Sequence, residues 1–222
     1  MARRTKDEAE QTRNAILDAA EKIFYQRGVV RTSLEQIAKA AHVTRGAVYW
    51  HFKDKMEVCE AMVDRVFLPQ EDMLEQLAAR KTSTPLEDLE KACLHSLRLM
   101  ATDKRRQRVF SILMFRCEYV EDMERIMERR RECKDRMFDR TMNLFERAFK
   151  LGQMSPQWPP RMAAIALHAM MSGLIISALE GRKGFDLLNA GSSALEVFFQ
   201  SLQSEKLASA RKVVPLKTRK RA

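Results

Sequence analysis

The sequence predicts an all-α protein of two unequal helical domains, and three observations carry that expectation. Seven Gly and six Pro in 222 residues are too few for a strand-and-turn architecture. Apolar residues recur at helical spacing along the chain, with no strand-like alternation. Several of these segments follow a Ser, Thr or Asp with Glu or Gln three residues on, the pair that satisfies the free N–H groups of a helix start.

The first helix is expected from Glu8 to Arg27, buried on Ile16, Ala19, Ala20, Ile23 and Phe24 and closed by Gly28 in the left-handed conformation. A second begins at Thr32 or Ser33, because Thr32 with Glu35 and Ser33 with Gln36 are both capping pairs. Its inward stripe is Leu34, Ile37, Ala38 and Ala41. After the turn Ala41-His42-Val43, Thr44 caps a third helix through Tyr49 and Trp50, with Val48 and Phe52 facing the core. The fourth opens at Asp54 with Glu57, buries Cys59, Met62, Val63, Val66 and Phe67, and is expected to stop at Pro69. It would connect the two domains.

Thr84-Pro85-Leu86-Glu87 combines a cap, a Pro at the first helical position and a capping Glu, followed by the stripe Leu86, Leu89, Cys93, Leu97 and Met100. Val109 to Phe115 is apolar except for Ser111, so that helix should be central and surrounded. A long helix is expected from Met123 to Leu151, stopped by Gly152. Pro159-Pro160 open an apolar helix, and a last one from about Ser193 carries Leu195, Phe198, Phe199 and Leu202.

The net charge of +10 suggests an anionic partner, but its distribution matters more than its sum. Residues 1–60 hold 11 Lys/Arg against 9 Asp/Glu, whereas residues 205–222 hold 7 against 1. Charge therefore marks the tail, expected to be a disordered basic segment over 206–222, and does not by itself locate a nucleic-acid site. Cys59, Cys93, Cys117 and Cys133 have no metal-ligand spacing and are expected as buried thiols. The charged N-terminus lacks the apolar run of a signal peptide, so a cytoplasmic location is expected. Met162 to Leu179 has no charged residue over 18 positions, which reaches the lower limit for a membrane span. His168, Ser172, Gly173 and Ser177 and the lack of a second such segment favour a helix buried inside protein instead.

Ser33 to Phe52 has the form of a helix-turn-helix, two short helices of which the second fits the major groove while the first braces it. Thr44 and the neighbouring N–H groups can hold a phosphate at the third helix's N-terminus, and Arg45 is the candidate for a guanine edge. Gly46 costs about 1 kcal/mol in a helix relative to Ala, a cost that close approach to DNA would explain. Tyr49 and His51 can donate to phosphates, and Lys53 and Lys55 add ionic contacts. Thr32, Ser33 and Trp50 complete the DNA-facing set, while Arg3, Arg4 and Lys6 can reach a neighbouring groove.

Thr12 to Lys55, above all Thr32-Ser33-Leu34-Glu35-Gln36-Ile37-Ala38 and Val43-Thr44-Arg45-Gly46-Ala47-Val48-Tyr49-Trp50-His51-Phe52, closely resembles the N-terminal domain of TetR-family repressors. Together with Phe115-Arg116-Cys117-Glu118-Tyr119, it looks most like the AcrR and TtgR group of multidrug-efflux repressors. One departure is informative. The family usually has Gly in the turn where this chain has His42, so His42 is expected at positive φ.

The resemblance implies a DNA-binding domain over residues 1–55 and a ligand-binding and dimerisation domain over 56–205. It further implies a palindromic double-stranded operator, release by a hydrophobic or amphipathic inducer, and no cofactor. Fourteen Met suit a pocket that accepts differently shaped apolar ligands. Leu89, Cys93, Leu97, Phe110, Leu113, Met114, Cys117, Met137, Thr141, Phe145 and His168 are the candidate lining, with Ser96 and Ser111 as further polar groups. The last two helices are the candidate homodimer surface, which would account for Met162 to Leu179 without a membrane. No nucleophile and base set, phosphate loop or metal spacing suggests an enzyme. A regulator of a metabolic operon and a membrane-associated helical protein are the alternatives.

Overall fold

The computed structural model describes residues 6–116 and 124–203. The basic tail, Arg3, Arg4 and Cys117 lie outside the described residues. Within them the chain forms α1 (Lys6–Arg27), α2 (Leu34–Ala40), α3 (Arg45–His51), α4 (Lys55–Ala79) and α5 (Pro85–Thr102). It continues through α6 (Lys104–Phe115), α7 (Glu124–Lys150), α8 (Pro160–Leu179) and α9 (Leu187–Leu202). The only extended pairing among these residues is a single antiparallel bridge between Met154 and Gln203.

Two apolar cores organise the helices. The first gathers Ile16, Leu17, Ala20 and Phe24 of α1 with Ile37, Val48, Phe52 and the Val58 to Val66 portion of α4. It closes on Val109, Ile112 and Leu113 of α6 and Ile126 of α7. The second joins α5, α7, α8 and α9 and takes Leu74 from the far half of α4. Phe110 packs against both. α4 and α6 thus belong to both cores, so displacing either from the second core disturbs the first.

Pro69 does not interrupt α4, which continues for ten more residues to Ala79. The ring removes one backbone hydrogen bond, and Pro69 itself stands on the exposed side of the helix. Packing on both sides holds the helix together. α4 is also stitched to α7 at a constant offset: Arg129 to Asp64 at 3.3 Å, Arg136 to Glu71 at 3.0 Å and Arg140 to Glu75 at 2.7 Å. Arg147 then donates to the Ala78 carbonyl at 3.0 Å. Rising residue numbers on both sides make the two helices parallel. Burial pushes the Glu71 carboxyl up, but hydrogen bonds from Cys133 and Arg136 outweigh it and hold it below its ordinary value. The Cys133 thiol is pushed up to about 12 by burial and by Glu71.

Three further differences from the sequence reading have physical causes. Thr84 makes no side-chain cap on α5; the Thr82 hydroxyl accepts from the Thr84 N–H at 3.0 Å and donates to Asp88 at 2.7 Å. α9 begins at Leu187, capped by Asp186, rather than near Ser193. Gly191 within it is required by packing, since a Cβ there would stand 2.5 Å from Leu97 Cδ1. α6 is not surrounded, because Phe115 at its end is exposed.

Candidate nucleic-acid interface and ligand cavity

Ser33 resolves the choice of cap at α2. Its Oγ accepts from the Gln36 N–H at 3.2 Å while its own N–H donates to Gln36 Oε1 at 3.0 Å. Thr32 is turned inward, 2% exposed, with its hydroxyl donating to the Gly28 carbonyl at 2.7 Å. Thr32 therefore presents no side chain to a groove and secures the loop that carries α2.

α2 ends in a turn built on His42, whose φ is +56° as the sequence predicts. Val43 N–H bonds to the Ala38 carbonyl at 3.0 Å and His42 N–H to that of Lys39 at 3.2 Å. This pair of bonds closes a helix in a Schellman turn, whose left-handed position is ordinarily Gly. Gly152 ends α7 with the same pair, to Ala148 and Phe149. The turn aims α3 outward.

Thr44 caps α3, its Oγ1 accepting from the Ala47 N–H at 3.1 Å and keeping its own proton for an incoming phosphate. Val48 and Phe52 anchor the helix in the first core. Ser33, Thr44, Arg45, Gly46, Tyr49, Trp50 and Lys53 are exposed, and Trp50 reaches 73%. Arg45 lies over the Tyr49 ring, 5.3 Å from its centroid, and donates to the Tyr49 hydroxyl at 3.4 Å. To reach a base it must leave that ring. A Cβ at Gly46 would meet only Thr44 Oγ1, at 3.9 Å, so nothing inside the chain demands glycine there. His51 is half-buried with its ring edge-on to Trp50 at 4.5 Å. Lys55 is committed to the Val30 carbonyl at 3.0 Å, tying the start of α4 to the loop after α1.

Behind this surface stands an ionic joint that the sequence reading missed. Glu21 of α1 is 1% exposed and receives Arg108 at 2.5 Å and Arg105 at 3.2 Å from α6, with Arg65 of α4 at 3.7 Å. Asp18 one turn earlier receives Arg65 at 2.5 Å and Arg105 at 2.8 Å. Glu21 lies four residues after Leu17 and three before Phe24, on the buried side of α1, and an acid there was the available signal.

A cavity of about 890 Å³, its mouth included, lies between α4, α5, α6, α7 and α8. Leu89, Cys93, Phe110, Met137, Thr141 and His168 of the predicted set line it. Leu97 is instead packed under Gly191, Leu113 belongs to the first core, Met114 receives Arg130 at its sulfur, and Phe145 stacks on Phe199. The lining adds Phe67, Gln70 and Met73 from α4, Lys134 from α7, and Leu167, Met171 and Ile175 from α8. Phe67 and Phe110 stack with centroids 4.7 Å apart and form an aromatic wall.

The polar groups of this cavity are linked. Thr141 donates to the Met137 carbonyl at 2.9 Å, so His168 Nε2, 3.3 Å from Thr141 Oγ1, carries the proton of that contact. Burial and the Lys134 charge hold the His168 pKa below its ordinary value, and the ring is neutral. Gln70 donates to Ser96 Oγ at 2.7 Å and accepts from Arg106 Nη1 at 2.8 Å. Arg106 is followed along α6 by Arg108 on Glu21, so the cavity wall and the α1 joint share one helix. Cys93 is pushed up to about 12 by burial and remains a thiol.

An outward-aimed, capped helix on a small core, joined through two shared helices to an apolar cavity, defines a helix-turn-helix regulator. Residues 16–62 match the description "Bacterial regulatory proteins, tetR family", and residues 84–204 match "MAATS-type transcriptional repressor, C-terminal region". The chain belongs to the TetR family of transcriptional repressors, a family of DNA-binding regulators and not of enzymes. It is 41% identical over 202 residues to the HTH-type transcriptional repressor BepR of Brucella suis biovar 1 (strain 1330), covering 91% of this chain and 97% of that one. It is also similar to NalD, the secondary repressor of the MexAB-OprM multidrug efflux pump in Pseudomonas aeruginosa. That structure gives a TM-score of 0.80 at 39% identity, covering 90% of this chain and 100% of that one. The complex of SmeT with triclosan gives 0.81 at 34% identity, covering 92% and 99%. SmeT represses the multidrug efflux pump SmeDEF of Stenotrophomonas maltophilia. The resemblance to multidrug-efflux repressors thus extends through both domains.

Proposed function

We propose that this repressor controls a multidrug efflux operon and leaves a near-palindromic operator when a hydrophobic or amphipathic molecule fills the cavity between α4 and α8. The observation that carries this reading is the placement of Phe67, Gln70 and Leu74 on the cavity wall, on the same helix whose Val58 to Val66 portion builds the DNA-side core. A ligand that prefers a displaced α4 weakens operator binding by the same differential affinity. Ser33, Thr44, Arg45, Gly46, Tyr49, Trp50, His51 and Lys53 are the proposed DNA contacts, with Lys55 acting through its hold on Val30. That NalD and SmeT are efflux repressors, and that SmeT binds triclosan, supports the operon and ligand classes.

The working unit is a homodimer through α8 and α9. α8 is long and apolar enough to cross a membrane, yet only 17% of that stretch is buried within the chain. Met162 and Ile165 of α8 and Leu188 and Val197 of α9 are exposed, and two copies of this helix pair form a four-helix bundle that covers them. The two recognition helices then address half-sites about 34 Å apart or a multiple of it. Titrating operator DNA with the protein, with and without saturating apolar ligand, tests the reading. Operator affinity unchanged at saturation refutes ligand release.

A further inference from the structure

The charge of the cavity points to the kind of molecule it receives. No carboxylate is among its lining residues, and its one ionic lining group is Lys134. Among the described residues Lys134 has no ion pair or hydrogen bond: the salt bridges of α7 are made by Arg129, Arg136 and Arg140. Lys134 stands exposed at the rim of the cavity, where partial burial and the neighbouring Arg130 lower its pKa. A second cation stands behind the wall. Arg106 is 6% exposed, its Nε has no hydrogen-bond partner, and its guanidinium is held at the cavity side by neutral Gln70 Oε1. The Asp103 charge does not outweigh the burial of Arg106, which makes no ion pair among the described residues, so this buried charge favours an entering anion over a cation.

Resting on the ligand-release reading above, we propose that the inducer is an amphipathic organic anion, a carboxylate or ionised phenol on an aromatic body. Its apolar part lies along Phe67 and Phe110, its head pairs with the Lys134 ammonium, and Arg106 behind Gln70 supplies the second positive charge. A monocation of the same shape meets Lys134 and finds no carboxylate among the lining residues, and it binds less tightly than the anion.

The test uses one scaffold with three heads, 4-phenylbutanoate, its primary amide and 4-phenylbutylamine, titrated calorimetrically into the full-length protein. The acid is expected to bind about threefold to fivefold more tightly than the amide, and the amine most weakly. In Lys134→Met the acid falls to the affinity of the amide while the amide is unchanged, and Lys134→Arg restores the preference. Lys134→Glu shifts the preference toward the amine. The proposal is overturned if none of the three binds, if the amide or amine equals the acid, or if Lys134→Met leaves the preference intact. Operator affinity is measured beside it. Acid preference without operator release defeats the ligand-release reading alone, and release by the amine as readily as by the acid defeats the head-group proposal alone.

Discussion

Replacing Glu21 with Gln keeps the shape of the α1 joint and removes its charge, leaving Arg65, Arg105 and Arg108 around a neutral amide. Removing one partner of a fully buried pair costs about 3–5 kcal/mol, while a surface pair contributes about 0–1 kcal/mol. Glu21 is buried, but Arg105 and Arg108 keep contact with water and can be rehydrated. The expected loss is therefore intermediate, about 1–3 kcal/mol in urea unfolding. Combined with Arg108→Gln, the double variant should lose less than the two single losses together, by about 1 kcal/mol or more. Because the joint couples α6 and α4 to α1, Glu21→Gln should also reduce the ratio of operator affinities without and with ligand. A variant as stable as the parent to within about 0.5 kcal/mol, with the same ratio, would refute the reasoning.

Substitutions at three further positions have opposed outcomes for opposed readings. His42→Gly relieves a left-handed residue at about 1–2 kcal/mol and concedes about 0.4–1 kcal/mol to the more flexible unfolded chain, so a net gain of about 0.5–1 kcal/mol is expected in urea unfolding. His42→Val, β-branched at the same φ, should be less stable than the parent, and the reverse order contradicts the turn geometry. At Gly173 a Cβ meets nothing within 4 Å in the chain. On a free helix surface Gly173→Ala would gain about 1 kcal/mol, whereas across a close dimer contact it weakens the dimer, which sedimentation at low concentration reads directly. His168 has a folded pKa below its ordinary 6.5. As pH falls through that value the unfolded chain takes up a proton that the folded one does not, and stability drops. His168→Gln should make the decline between about pH 7 and pH 5 shallower, and an unchanged slope would show that His168 does not contribute to it.

Much of this was legible in single positions. The His42 turn follows from one residue standing where the family has glycine, because only a few side chains tolerate that backbone. The Ser33 cap was visible but not separable from Thr32, since burial, which decides between them, is a tertiary property. Pro69 was misread because a local rule about hydrogen bonding was outweighed by packing against two cores. Met137 and Phe145 share one face of α7 and are equally apolar on paper. Only the neighbours separate them: one meets open space and the other meets Phe199. Gln70 and Lys134 were missed because each is an ordinary polar residue until five helices converge on it.

The ladder between α4 and α7 limits how this molecule can respond. Three ion pairs and a carbonyl contact stand on a common heptad-like spacing, so translating α4 along α7 must strain every rung together. Rolling or tilting about the same line asks only for rotation of flexible arginine side chains. Of the motions open to a ligand-filled cavity, shear is the stiff one and sideways swing the soft one. In the proposed dimer, such a swing changes the gap between the two recognition helices more than it turns either one. The ladder is also the part of the machine that dissolved ions reach, so the stiffness of the lever, and with it the gain of the response, falls as ionic strength rises.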